Sequence, residues 1–148
     1  MLALPAFAAS EDEGPTGTPV PGQESVSGSV SGKVLLPDLV VSDLTVEKTE
    51  KGYLEIQARL SNNGKGIAKG TLSLKVVIYD EKGRYVNSLG VGCMECVLQP
   101  GESSGHGFGM PLDGFKPGKY KVVAIVDGDN YIKERNENNN MNRARFVV

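Results

Sequence analysis

The chain has 148 residues, a formal net charge of -2 and a pI near 5.5, which leaves room for one ordinary domain and a short extension. This charge argues against a nucleic-acid-binding surface, which needs clustered Lys and Arg, and no apolar run approaches the ~20 residues of a membrane-spanning helix. With 19 glycines, no Trp and β-branched runs between Gly- and Pro-containing turns, the sequence predicts an all-β protein.

The first residues resemble the end of a secretory signal. Residues 1–9 form an apolar stretch that closes in Ala6-Phe7-Ala8, a small-x-small pattern typical of cleavage sites. No Lys or Arg precedes Lys33, so the basic region of a complete signal is missing. We interpret this segment as a truncated signal-peptide remnant, with an accidental Ala-rich tail as the alternative. The mature protein would then be exported, to the periplasm or the extracellular space, and the lack of a nearby Cys argues against a lipid anchor.

Residues 10–34 are rich in Gly, Ser, Pro and Thr. Such a segment cannot bury enough apolar surface to offset the entropy lost on ordering. We therefore predict a flexible, disordered linker, and we place the folded domain at residues 35–148.

Seven short β-strands are predicted within this domain from the alternation of apolar and polar residues. Two alternating runs, from Leu54 to Leu60 and from Leu72 to Ile78, are predicted to face the core. Seven strands with turns at near-regular spacing favour an immunoglobulin-like β-sandwich. The predicted strands cover residues 38–47, 53–61, 71–79, 84–91, 104–110, 120–126 and 144–148.

One residue supports this fold, and two features distinguish the chain from antibody-type domains. Tyr120 follows Pro117-Gly118, where a tyrosine corner is expected. The chain has no Trp, and its two cysteines are too close in sequence to bridge the sheets as in antibody domains.

Four segments, in this order along the chain, resemble the CARDB family, a cell-adhesion-related domain found in bacteria. The resemblance covers about residues 37–148 and implies a seven-stranded immunoglobulin-like sandwich in an exported protein, with a role in adhesion or binding. It implies no catalytic residues and no defined ligand. The segments are PDLVVSDLTV at Pro37–Val46, LQPGES at Leu98–Ser103, PGKYKVVAIVD at Pro117–Asp127 and ERNENNN at Glu134–Asn140.

Cys93 and Cys96 form a CxxC motif that departs from the usual family pattern. In an exported protein this spacing favours a disulfide that closes a tight loop, with free thiols or a metal or redox site as alternatives. Val97 stands where haem attachment needs a His, and no helix is predicted that would activate a thiol. A zinc site would have only His106 and a carboxylate to complete it.

The fifth predicted strand is the second departure, because glycine alternates with larger residues. Gly105, Gly107 and Gly109 leave one face bare, while His106 lies on the opposite face. Such glycines favour an edge strand covered by a loop; the alternative is a surface on which a partner strand or a flat ligand packs, as in β-augmentation. We predict that His106 is partly buried and hydrogen-bonded rather than a ligand.

Oxygen-bearing side chains crowd the segment after the sixth strand. The candidate Ca²⁺ ligands are Asp127, Asp129, Glu134 and Glu137. The EF-hand template is not met, because Tyr131 and Ile132 occupy its fifth and sixth positions. The alternative is a polar loop whose Asn and Asp side chains bond to nearby backbone, with Ile132 covering the end of the core. No other cofactor is predicted.

Together these patterns predict a non-enzymatic, exported binding or adhesion module for a protein or cell-surface ligand. No nucleophile–base pair, phosphate-binding loop or pair of catalytic carboxylates can be placed. One alternative is a structural spacer without a ligand of its own. Another is a small metal- or redox-active protein that uses Cys93 and Cys96. Tyr53 and Tyr79 point outward on their strands, where cross-strand packing is expected rather than stacking on sugars.

Overall fold

The structure, a computed structural model, describes residues 32–148. The predicted signal remnant at residues 1–9 and most of the predicted linker lie outside this range. The described residues form seven strands and no helix. The strands are β1 Leu39–Lys48, β2 Tyr53–Asn62, β3 Ala68–Asp80, β4 Tyr85–Leu98, β5 Ser103–Pro111, β6 Lys119–Val126 and β7 Met141–Val147.

The strands pair in two antiparallel sheets. One sheet has the order β1-β2-β5 and the other has the order β4-β3-β6-β7. Because β1 packs across the core against β6 and β7, β5 lies over the side of the second sheet formed by β3 and β4. This arrangement confirms the predicted immunoglobulin-like sandwich.

The core sits between the sheets and is built from the alternating residues of β2 and β3. All eight residues predicted to face inward on these two strands are buried, none more than 3% exposed. A fully buried Leu, Ile or Val contributes about 1.5–3 kcal/mol, and a slip of one residue would turn the whole set toward solvent. The inward residues are Leu54, Ile56, Ala58, Leu60, Leu72, Leu74, Val76 and Ile78.

Strand β1 departs from simple alternation. Leu44 and Val46 pack against the core as predicted, but Leu39 and Val41 are buried as well. Ser42 is an extra residue in the pairing of β1 with β2, and this β-bulge shifts the inward face by one position. Apolar residues on both sides of the bulge therefore face the same core.

The fourth strand is longer than predicted. A strand was predicted only for residues 84–91, whereas β4 continues to Leu98 through both cysteines. The register shifts between Cys93 and Cys96 because β4 holds one more residue than β3 at this point. The motif thus forms a β-bulge within a strand rather than a turn between strands.

The predicted tyrosine corner is present. The Tyr120 hydroxyl donates a hydrogen bond to the Lys116 carbonyl at 2.6 Å. Its ring stacks on Phe146 with centroids 5.2 Å apart and meets the edge of Phe115 at 5.3 Å. These contacts fix the start of β6 against the end of β7.

Asn62 closes the opposite pole of the sandwich, where β1 begins and β2 ends. Its side chain is fully buried. The amide oxygen accepts from the backbone N–H of Asp38 (3.1 Å) and Gly64 (3.0 Å), and the amide nitrogen donates to the carbonyls of Gly66 (2.8 Å) and Leu98 (3.0 Å). The amide therefore uses its full hydrogen-bonding capacity, and it joins the chain before β1 to the β2–β3 connection and the end of β4.

We expect Asn62→Ala to lower the free energy of unfolding by about 3 kcal/mol, because it leaves several buried backbone groups without partners. Urea denaturation measures the change. Asn63→Ala is the matched control, since Asn63 is exposed and its backbone N–H, not its side chain, bonds to Asp38. Equal midpoints for the two variants would contradict the role given to Asn62.

Candidate functional site

The loop between β6 and β7 folds back onto the pole that Asn62 closes. The Arg135 N–H donates to the Pro37 carbonyl at 2.8 Å. The Asp38 carboxylate pairs with the Arg135 guanidinium and accepts from the Asn139 amide at 2.8 Å. The loop is therefore bound to the residues that precede β1.

Asp127 turns the chain out of β6 with a left-handed backbone, at φ 47°. Its carboxylate is almost fully buried and accepts from the N–H groups of Tyr131 and Ile132, each at 3.0 Å. Burial raises the pKa of this carboxyl, and the two N–H donors oppose that effect. Ile132 is buried at the end of the core, as predicted.

Glu134 is a second buried carboxylate, 5% exposed. One oxygen accepts from the Leu39 N–H and the other from the Asn140 side-chain amide, both at 2.6 Å. Burial raises the pKa of Glu134 to about 7, and the negative charges of Glu137 and Asp127 also raise it. The two hydrogen bonds lower the pKa and only partly offset these effects. This carboxyl therefore titrates near neutral pH.

These contacts define what the four candidate Ca²⁺ ligands do. Asp127 and Glu134 direct their oxygens at donors within the protein. Asp129 and Glu137 are exposed, and one Glu137 oxygen accepts from the Glu134 N–H at 2.8 Å. Across residues 32–148, no three His, Cys, Asp or Glu side chains are grouped so as to hold a metal ion. Calcium binding by this loop stays a prediction.

The cysteine pair lies on the edge strand β4. The structure places Cys93 and Cys96 at disulfide distance, with Cα atoms 5.8 Å apart. Residues i and i+3 of a regular strand point to opposite faces, but the bulge adds a residue and brings both side chains toward the core. Met94, at the outside of the bulge, is 82% exposed, and its carbonyl accepts from the Thr71 hydroxyl at 3.4 Å.

The bare face of β5 is open. β5 is an edge strand that pairs with β2 along its whole length, which sets Gly105, Gly107 and Gly109 opposite Arg59, Gln57 and Glu55 respectively. A Cβ on Gly109 would meet no atom within 4 Å, and one on Gly105 would meet only the Arg59 guanidinium at 3.9 Å; on Gly107 it would press on the Gln57 side chain at 3.2 Å. No loop covers this strip among the described residues.

His106 lies beneath the strip, on the inward face of β5. It is 3% exposed, and its Nε2 lies 3.2 Å from the Ser104 hydroxyl. Burial lowers the pKa of the imidazole, which favours the neutral ring. The side chain is placed as predicted for a buried, hydrogen-bonded histidine.

A second concave surface was not predicted from the sequence. It is a shallow hollow of about 520 Å³ on the outer face of the four-stranded sheet. Lys75 and Asp129 lie at its margin, and Gly90 and Gly92 of β4 form part of its floor. These residues come from separate segments of the chain, and the pairing of β3 with both β4 and β6 brings them together.

Two packed antiparallel sheets and a tyrosine corner define an immunoglobulin-like domain. The CARDB family model matches residues 36–144, more than half of the chain. The chain therefore belongs to the CARDB family, which confirms the resemblance carried by its four segments.

Two solved structures are similar over most of their own length. The crystal structure of a CARDB domain from Pyrococcus furiosus, in complex with di-metal ions, is 26% identical, with a TM-score of 0.58 over 76% of this chain and 89% of that one. A solution structure of a domain from an inferred cell surface protein of Methanosarcina acetivorans is also 26% identical, with a TM-score of 0.50 over 76% of this chain and 92% of that one. No curated protein gives a significant match. No helix among residues 32–148 has the length and apolar character needed to cross a bilayer.

The free energy of unfolding is expected to depend on pH through Glu134. Because the pKa of this carboxyl rises from 4.5 unfolded to about 7 folded, the folded state binds the extra proton, and stability falls as pH rises between these values. In Glu134→Gln this contribution disappears. The free energy of unfolding of the variant minus that of wild type should therefore increase by roughly 1–3 kcal/mol as the pH is raised from 5 to 8.

Denaturant unfolding across this pH range measures the effect, and the exposed Glu81→Gln is the control. Comparison with wild type at each pH cancels the opposite contribution of His106, whose lowered pKa removes stability as pH falls. Parallel curves for wild type and Glu134→Gln would contradict the assignment.

The oxidation state of the cysteine pair is open to direct measurement. Titration of thiols in the denatured, unreduced protein should find none, and reduction before denaturation should release both. Two free thiols without reductant would exclude the disulfide and favour the redox or metal alternative.

Proposed function

We propose that this chain is an exported, non-enzymatic binding module whose ligand packs on the outer face of the sheet β1-β2-β5. The observation that carries the proposal is the glycine strip of β5, which lies open beside a row of polar side chains on β2. We call this surface, formed by Gly105, Gly107, Gly109 and the neighbouring β2 side chains, the glycine face. The ligand is a protein or another cell-surface molecule.

The glycine face is bare yet held firmly in place. Glycine weakens strands, but β5 pairs with β2 at every position from Ser103 to Pro111 and buries Phe108 and Met110 against the core. The exposed backbone is thus part of a preorganised sheet, and a ligand that packs on it pays little ordering entropy. The absence of side chains on β5 lets a flat ligand approach the backbone.

The side chains around the strip determine which ligands fit. Glu55, Gln57 and Arg59 follow one another along the outer face of β2, and the half-exposed Tyr53 ends the row. Asp43 of β1 pairs with Arg59 in the sheet register, and the two border a small hollow of about 100 Å³. Both charge signs and an amide are available, which suits a hydrogen-bonding, largely uncharged ligand.

Three observations support an exported location. The chain belongs to CARDB, a family of cell-surface-associated modules, and a similar domain comes from an inferred cell surface protein. Cys93 and Cys96 lie at disulfide distance, and disulfides persist in oxidising compartments. Residues 1–9 carry the signal-like pattern.

A metal-linked role is the second candidate. The similar Pyrococcus furiosus domain was crystallised with di-metal ions, and Asp127, Glu134 and Glu137 are near enough for their charges to interact. It is the weaker candidate, because the buried oxygens of Asp127 and Glu134 already accept hydrogen bonds from within the protein.

The glycine face can be tested by capture from an envelope extract of the producing organism on the immobilised full chain. The double variant Gly105→Thr/Gly109→Thr adds side chains where there is room for them, so the fold should survive while the flat surface is lost. We expect retention of the captured species to fall at least about tenfold, equivalent to about 1.4 kcal/mol.

Gly114→Thr is the matched control, because its Cβ also meets no atom within 4 Å and it lies in a loop outside the strip. Circular dichroism confirms that each variant is folded. A wild-type chain that captures nothing would favour the spacer alternative, and equal capture by the double variant would place the ligand on another surface.

A further inference from the structure

Strand β4 has an open edge. It pairs with β3 on one side, and no strand of the described domain pairs with its other side. Its outward backbone N–H and C=O groups are therefore open to another strand, except that the Ser88 N–H donates to the Asn87 side-chain oxygen at 2.8 Å, a bond that a partner strand would replace. β5, the edge of the other sheet, is joined directly to the end of β4, so this flank of the sandwich is open in both sheets.

The regular part of β4 runs from Asn87 to Cys93. Register shifts interrupt the pairing with β3 at both ends of this run. The run reads NSLGVGC and carries no charged residue. Unlike it, the edge strand β7 carries Arg143 and Arg145, charges of the kind that protect sheet edges from unwanted pairing.

An uncharged edge is what pairing between two identical strands requires. In an antiparallel pair related by a two-fold axis, a charge on the axis faces its own copy and a charge next to the axis lies diagonally across from its own copy, and like charges so placed are destabilising. An axis through Gly90 sets Leu89 opposite Val91 and Ser88 opposite Gly92 of the second copy. The apolar pair lies on the inward face, and the small residues lie on the outer face, where they allow close approach.

We propose that two copies of this chain associate through β4 about a two-fold axis at Gly90. Their two four-stranded sheets join into one continuous sheet of eight strands. The paired run is short and bulges limit it on both sides, so the interface is small. We expect a reversible dimer with a dissociation constant of about 10–100 µM.

This pairing has a geometric consequence for the glycine face. The two-fold axis is perpendicular to the joined sheet, so it leaves both three-stranded sheets on the same side of the dimer. The two glycine faces then point in the same direction, and a ligand presented many times on a surface would meet two sites at once. The association itself needs no ligand and does not depend on the proposed function.

Sedimentation velocity of the full-length chain tests the dimer over a range of concentrations up to about 1 mM. We expect the wild-type protein to shift from monomer to dimer. S88K/G92K sets like charges opposite each other on both sides of the axis and should weaken association at least tenfold. S88E/G92K sets opposite charges at the same positions and should keep association or strengthen it.

The two variants are matched. Both lose the hydrogen bond between Ser88 and the Tyr85 hydroxyl, and both place a Cβ at position 92, where the nearest neighbour is the Leu72 carbonyl at an ordinary 3.6 Å. Met141→Lys, at a half-exposed position on β7, is the control for adding charge to the other edge of the sheet and should leave association unchanged.

Three outcomes would overturn the proposal. A wild-type chain that stays monomeric over the whole range excludes the dimer. A dimer that S88K/G92K leaves intact forms through another surface. An equal loss of association in S88K/G92K and S88E/G92K contradicts the pairing at Gly90. Gly105→Thr/Gly109→Thr should still dimerise, so failure of this proposal and failure of the glycine face are distinguishable.

Discussion

The buried amide of Asn62 is the interaction on which the rest of the structure depends. Its four hydrogen bonds join segments that are far apart in sequence, including the chain before β1 and the end of β4. A buried polar group left without a partner costs about 1–3 kcal/mol, so these segments are held in one arrangement. The two sheets consequently meet at a fixed distance and angle at this pole. Among residues 32–148, β5 and β4 are each an edge of their own sheet, and this frame holds the glycine face and the open edge of β4 in place.

The carboxylates after β6 belong to the same frame. Glu134 satisfies the first N–H of β1 and holds Asn140, while Asp127 caps the turn that leaves β6. Of the residues that look from the sequence like a set of metal ligands, Glu134 connects the loop to strand β1 and Asp127 fixes the turn at the start of the loop. Because the Glu134 carboxyl is buried near other acidic side chains, its pKa is raised, and folding is coupled to proton binding near neutral pH.

The predictable part of the fold is the part governed by regular alternation. β2 and β3 alternate without interruption on their inward faces, and their core residues follow from period two. The bulges at Ser42 and at Cys93–Cys96 could not be predicted from the sequence, because a residue is extra only in relation to the strand it pairs with. The hydrogen-bond partners of the acidic loop could not be predicted either, because they are distant in sequence: Glu134 accepts from the backbone N–H of Leu39, 95 residues earlier. The glycine strip was visible because its alternation lies within one strand, whereas the hollow beside Gly90 is assembled from several.

The direction of the first and last strands has a mechanical consequence. β1 leaves the pole at Asn62 and β7 runs the same way, so the chain enters at one pole and ends at the other, where Val148 pairs with Gly118. A pulling force between residues 37 and 148 would act along the strands and would have to slide β1 past β2 and β7 past β6. Sliding breaks many backbone hydrogen bonds together, whereas peeling breaks them one at a time. The Asn142 amide, bonded to the Val41 carbonyl at 3.0 Å, also ties the two terminal strands to each other. Tension applied between these two poles would therefore load β1 and β7 in shear.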